Sequence, residues 1–306
     1  MDGRALRVKA ARRREGMVET RTPLGMLADI IIHAALVVVT LCCVVPVWHV
    51  MMASLSDGRR MLEVEGALML PAGIKPNFAG YRLVFSNMAI LKGYANTLLY
   101  VAAGPMFGMA LNITAGYALS RESRLRVPLT LVTLFTTMFS GGLVPSYMVI
   151  HSLGWVGTRW ALMIPGCTNA FFILLMMNAF KGVPQSSVEA ARIDGAGHAR
   201  AMLKVMLPQC VNLTTVVILN SVVLQWNSWF PASIYVTSSR DKWPLQLWIR
   251  QMVADNETAL QMSSPDYNRL LIQYAVIVAA TLPILAAFPF FQKRFEKGLL
   301  LGGVKE

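Results

Sequence analysis

Six apolar runs, none with an Asp, Glu, Lys or Arg inside it, constrain this chain more than any other feature. They lie at about Ile30 to Ala53, Tyr94 to Leu119, Val127 to Ile150, Trp160 to Phe180, Cys210 to Phe230 and Leu270 to Phe291. A hydrocarbon layer of ~30 Å is crossed by about 20 helical residues, and every run has that length. Dry lipid gives backbone groups no partner, so open sheets are excluded and helices remain. The expected fold class is an all-α membrane protein with six transmembrane helices. The spans are expected at 30–53, 94–119, 127–150, 160–180, 210–230 and 270–291. The composition agrees, with 55% hydrophobic and 14% charged residues, far from the balance of a soluble globule.

Six spans put both termini on one side, and the basic residues say which. Placing the N-terminus in the cytoplasm puts 18 of the 28 lysines and arginines on the inner side, as the positive-inside rule requires. They fall in an arm over residues 1–25, after span two at Arg121, Arg124 and Arg126, in the loop 181–209, and in the tail from Lys293. The formal net charge of +12 could suggest nucleic acid. These charges flank apolar runs instead, which is the pattern of membrane topology and argues against nucleic acid as a partner. The first run is too long for a secretory leader and reads as a retained span. Residues 26–306 then form one six-span membrane domain, with an inner loop at 181–209 and an outer loop at 231–269. The seven tryptophans fall at or beyond the outer ends of the spans. Glycines and prolines inside the runs (Pro46, Gly104, Pro105, Gly141, Gly142, Pro145, Pro165, Pro283) are expected to kink helices or let them approach closely. Cys42, Cys43, Cys167 and Cys210 lack metal-ligand spacing and read as reduced core residues. No metal is expected.

The stretch Gly182 to Pro208, GVPQSSVEAARIDGAGHARAMLKVMLP, is the longest charged interruption in the C-terminal half. Each charge costs about 2.5–3.5 kcal/mol at a bilayer centre, so the segment lies in water between two spans. Pro184 ends the preceding helix. Ser186 and Glu189 have the spacing of a capping box, which predicts a helix through Ile193. Gly195 and Gly197 are expected to close it, since glycine tolerates the left-handed conformation. A second helix follows, with Ala201, Met202, Leu203, Val205 and Met206 as apolar positions, and stops near Pro208.

The full spacing, Glu189-Ala190-Ala191, three residues, Gly195, nine residues, Val205, one residue and Leu207-Pro208, resembles the EAA signature of ATP-binding-cassette importer permeases. That family usually has isoleucine where Val205 stands. Further stretches, GGLVPSYMVIHSLGWVGTRWALMIPG (141–166), NSWFPASIYVTSSRDKWPLQLWIRQ (227–251) and FPFFQKRFEKGLLLGGVKE (288–306), are similar to its carbohydrate-uptake, maltose-type branch. The resemblance implies the type I importer permease fold of a bacterial cytoplasmic membrane. It implies that Glu189, Ala190, Ala191, Arg192, Asp194, Gly195, Leu207 and Pro208 couple the membrane domain to a separate ATPase. It also implies a homologous second permease subunit, two cytoplasmic ATPase subunits that carry ATP and Mg, an extracellular solute-binding protein, and a sugar or oligosaccharide as cargo.

The chain has no G-x-x-x-x-G-K-[ST] sequence, so energy must come from a partner and no cofactor is expected on this chain. No nucleophile has a paired base nearby in sequence, so a catalytic role is not expected. Proton- and sodium-driven transporters commonly carry ionisable residues within the membrane; here the spans have no Asp, Glu, Lys or Arg, and His33 and His49 near the ends of span one read as interfacial or packed histidines. Asn220, Gln225, Trp226 and Asn227 cluster towards the outer end of span five, where amides beside an aromatic face suit an uncharged sugar. The rival readings are a polytopic scaffold whose loop merely recruits a partner, and a secondary transporter.

Overall fold

The computed structural model describes residues 23–61, 68–72, 76–261, 271–287 and 289. Residues 1–22 of the basic arm (1–25), 262–269 of the expected outer loop (231–269), both ends of the sixth expected span (270 and 290–291) and the tail after it lie outside the described residues. Among the described residues the regular structure is entirely helical. The helices are α1 (Pro23–Ser54), α2 (Ala79–Ser86), α3 (Met88–Ser120), α4 (Arg126–Met138), α5 (Leu143–Ser152) and α6 (Ala170–Lys181). They continue as α7 (Gln185–Ile193), α8 (His198–Gln209), α9 (Val211–Trp226), α10 (Phe230–Tyr235), α11 (Leu245–Gln261) and α12 (Leu271–Ala287).

α3 is the axis. It runs 33 residues without a break, Pro105 inside it, about 50 Å at 1.5 Å per residue. α6, α9 and α11 pack on it. Small residues make the approach possible: a Cβ on Gly108 would stand 1.6 Å from the Cys167 carbonyl oxygen. α3 and α6 are parallel, since Gly108 lies by Cys167 and Gly116 by Met176. α3 turns over through Arg121–Leu125 into α4, where Thr130 Oγ1 points at Met177 Sδ at 3.9 Å.

Of the expected spans, the first two are continuous: Gly25–Ser54 and Met88–Ser120 are each long and apolar enough to cross a membrane alone. The third is broken. α4 and α5 meet at 114° across Phe139–Gly142, where Gly142 takes φ +85°, a conformation closed to other residues without strain. The fourth is also broken, into a turn at Trp160–Met163 and α6, because Pro165 removes a backbone donor inside the apolar run. α6 and α12 are shorter apolar helices, and α8 joins α9 at 88°.

Three apolar clusters hold the described part together. Around the start of α3, Tyr100, Leu162, Val236, Trp243 and Leu247 pack together. Here the segment after α10 folds down onto α3. Asn96 Nδ2 donates to the carbonyls of Asp241 (2.8 Å) and Trp243 (3.1 Å). Tyr100 donates to Lys242 O at 2.7 Å, and Thr97 Oγ1 accepts the Leu245 N–H at 2.9 Å. A second cluster joins α2, α3, α11 and α12 through Val84, Ile90, Leu245, Ala275 and Val276. The third lies at the opposite end of α3. It contains Phe172, Met176, Phe180, Val188, Met202, Met206 and Val217, and therefore ties α6, α7, α8 and α9 together.

Candidate functional site

α7 begins one residue before the expected capping box and without it. Pro184 is the N-cap, and no side chain caps the helix. Proline pre-sets its own φ and the helix follows directly, so Ser186 sits inside the first turn, where its hydroxyl cannot act as a cap. Val188 is buried to 2% exposure in the cluster with Met202 and Met206. Glu189, Ala190, Arg192, Asp194 and Gly195 are exposed and Ala191 is half-buried. One face of a nine-residue helix is thus keyed to the spans, and the other faces outward.

The helix closes as the glycine predicts. Gly195 has φ +77°, and the Ala196 N–H reaches back to Ala191 O (2.9 Å) while the Gly195 N–H reaches Arg192 O (3.0 Å). These two bonds form a Schellman motif, which satisfies the orphan carbonyls of the last turn. A Cβ on Gly195 would meet nothing within 4 Å, so the demand for glycine is conformational and not steric. Gly197 departs from expectation: its φ of −68° is ordinary, and it serves as N-cap of the next helix.

α8 ends at Gln209, one residue past Pro208 and close to where the sequence places its end. It passes into a π-helical stretch, Ala201–Met206, continues through Leu207–Gln209, and bends at Cys210. Pro208 has no N–H and crowds the carbonyl four residues back, so the ladder before it is loosened. Ala201, Met202 and Met206 are buried, as their apolar positions predict, whereas Leu203 is 52% exposed. Leu207 is half-buried and Pro208 exposed.

A polar contact that sequence spacing gives no hint of connects this loop to α3. Tyr117 OH and His198 Nδ1 are 2.9 Å apart, 81 residues apart in the chain. The Arg121 guanidinium lies 4.9 Å from the centre of the Tyr117 ring and points Nη2 at Met206 Sδ. Tyr117 also meets Phe180 edge-on at 6.0 Å. The loop is therefore held by the last turn of α3 as well as by its own flanking spans.

The residues expected along a sugar path are divided. Gln225 Nε2 donates to the Leu162 carbonyl at 3.2 Å, and Trp226 is 4% exposed in the interior. Asn220 and Asn227 are exposed, and each donates to the carbonyl four residues earlier, Val216 at 2.9 Å and Val223 at 3.0 Å. The broken span holds a second polar pair. Thr168 Oγ1 donates to Asn112 Oδ1 at 2.6 Å; Asn112 is fully buried and its Nδ2 has no partner among the described residues.

Known proteins place this geometry. The profile of the family "Binding-protein-dependent transport system inner membrane component" matches residues 113–300, which include the whole of α7 and α8. A polygalacturonan/rhamnogalacturonan transport system permease protein of Bacillus subtilis is 34% identical over 286 residues, 91% of this chain and 98% of that protein. A diacetylchitobiose uptake system permease protein of Streptomyces coelicolor is 28% identical, over 88% and 87%. Among solved structures, a bacterial ABC transporter involved in the import of the acidic polysaccharide alginate superposes with a TM-score of 0.82 and 26% identity. That match covers 91% of this chain and all of the other. This chain therefore belongs to the family of binding-protein-dependent transport system inner membrane components.

Proposed function

We propose that the chain is the membrane-spanning permease subunit of an ATP-driven importer of oligosaccharides, and that α7 couples it to the ATPase. The carrying observation is the two-sided burial of α7. Val188 is locked among side chains of the spans, while Ile193 stands 86% exposed at the tip. An apolar side chain left in water at the end of a rigid helix is what a docking groove on another subunit would cover. Closure of a paired ATPase would then push α7 as a lever. α6 and α9, which share its cluster, would tilt with it between two packings.

In this reading a homologous second permease completes the membrane assembly and two cytoplasmic ATPase subunits hold ATP and Mg. A solute-binding protein delivers the sugar at the opposite face. Both termini and the 181–209 loop are cytoplasmic, and six spans count the two broken ones as one crossing each. The names of the relatives favour oligosaccharides released from plant or algal polysaccharides. Asn220 and Asn227, whose amide oxygens are unbonded among the described residues, and Gln225 beside Trp226 are assigned to the sugar path.

The test is ATPase activity of the purified complex in lipid discs, with and without loaded binding protein, for wild type and Glu189→Lys/Gly195→Asp. Stimulation in wild type that disappears in the double variant is the expected result. Equal activity under every condition would reduce the loop to a tether and defeat the reading.

A further inference from the structure

The break in the third span exposes backbone where lipid could not accept it. Ser140, Gly141 and Gly142 are exposed and outside any helix. Among the described residues, the N–H groups of Ser140 and Gly141 and the carbonyls of Phe139, Ser140 and Gly141 have no hydrogen-bond partner. The local ties among the described residues are the Phe139 N–H to Phe135 O at 3.0 Å, the Gly142 N–H to Ser140 Oγ at 3.2 Å, and the Ser146 N–H (3.4 Å) and hydroxyl (2.7 Å) to Gly142 O.

Depth makes this significant. α4 runs antiparallel to α6, with Thr130 opposite Met177. Eight residues further along each helix, about 12 Å, lie Met138 and Asn169, so the gap 139–142 is level with the break at 164–169. The gap begins about 18 Å from Arg126 at the start of α4, near the middle of a ~30 Å hydrocarbon layer. The buried, half-satisfied Asn112 is joined to Thr168 at that level. Irregular backbone at such a depth persists only inside protein or against water, and interrupted helices in transporters place binding sites near the midplane.

We propose that Ser140–Gly142 lines the water-filled sugar path, its free backbone groups bonding sugar hydroxyls. The exposed Phe135–Phe139 pair forms an apolar platform beside it, its rings stacked at 4.5 Å and 19°. A sugar presents hydroxyls at its edge and C–H bonds on its face, and this step offers a surface for each. The proposal rests on the importer reading above and adds a subsite on α4/α5, separate from the α9 residues already assigned.

The experiment is thiol labelling in the complete complex in lipid discs, after the four native cysteines are replaced. Ser140→Cys and Gly141→Cys are compared with Val38→Cys in the continuous α1, using a membrane-impermeant methanethiosulfonate. The thiolate that reacts exists only in contact with water, so the two gap cysteines should react about 100-fold faster than Val38→Cys. Labelling is repeated during ATP turnover with binding protein loaded with oligogalacturonate, oligoalginate or maltotriose, whichever stimulates the wild-type ATPase; that sugar should slow it several-fold. Equal reactivity with Val38→Cys would mean the companion subunit covers the gap, and rapid labelling that sugar leaves unchanged would remove the sugar contact. Either result overturns the proposal while wild-type stimulation is intact. If no sugar stimulates wild type, the importer reading itself has failed.

Discussion

Gly195→Ala is the smallest perturbation that tests the coupling role proposed for α7. With nothing within 4 Å of the new Cβ, the substitution changes no contact and adds only the penalty for holding φ at +77°, about 1–2 kcal/mol. The turn is closed by two hydrogen bonds, Ala196 N–H to Ala191 O and Gly195 N–H to Arg192 O. At a net 0.5–1.5 kcal/mol each, they supply about 1–3 kcal/mol, so penalty and closure are of the same size. The turn should open for a substantial fraction of the time while the spans, held by their own clusters, stay folded. Hydrogen exchange at the amides of Gly195 and Ala196 should accelerate about 5- to 30-fold, the factor that 1–2 kcal/mol represents. Stimulation of ATPase by loaded binding protein should fall in step, with the thermal midpoint nearly unchanged. Gly195→Asn should recover most of both, because asparagine tolerates the left-handed region better than other residues with a side chain. Wild-type exchange and coupling in Gly195→Ala would refute the argument that this φ holds the lever in shape.

Two further outcomes follow from packing. Gly108→Ala drives a methyl group into the Cys167 carbonyl at 1.6 Å; backbone cannot yield that far, so a loss of at least about 3 kcal/mol should appear as a lower thermal midpoint and aggregated material in size-exclusion chromatography. An unaltered midpoint would mean α3 and the 164–169 break are not packed as described. Met206→Ala empties a site with 0% exposure and should cost about 2–5 kcal/mol, with exchange protection lost first in α7 and α8; Met206→Leu, which conserves volume, should cost less than about 1.5 kcal/mol.

What the sequence made readable, and what it did not, divides along physical lines. Charge-free runs of membrane length announce helices whatever their neighbours, and α1 and α3 lie where the pattern puts them. Gly195 was equally legible, since a left-handed turn after a helix admits few other residues. The capping box at Ser186 and Glu189 failed because Pro184, one residue before Gln185, already starts the helix. The breaks at Gly141–Gly142 and Pro165 could not be told from kinks or close packing. An apolar run shows its length but not whether its ladder is continuous, and that is decided by neighbours such as Gly108 on another helix. Tyr117 with His198, and Asn112 with Thr168, are brought together by folding across 81 and 56 residues; neither pair shares a spacing that periodicity could reveal.

α1 bears on how such a subunit exists at all. None of its most apolar 18-residue window is buried within the chain. Among the described residues, contacts with other elements are seen at the far end of the helix: the Trp48 indole donates to Met69 O at 2.9 Å and the Ser54 and Tyr81 hydroxyls meet at 2.7 Å. A span that touches little of its own protein gains from its own chain only the solvation that lipid provides. In the importer proposed above, the stability that matters is that of an assembly, set by the concentrations of its members and by the bilayer that dissolves them. A cell that made this chain in excess would hold a population of half-finished membrane proteins.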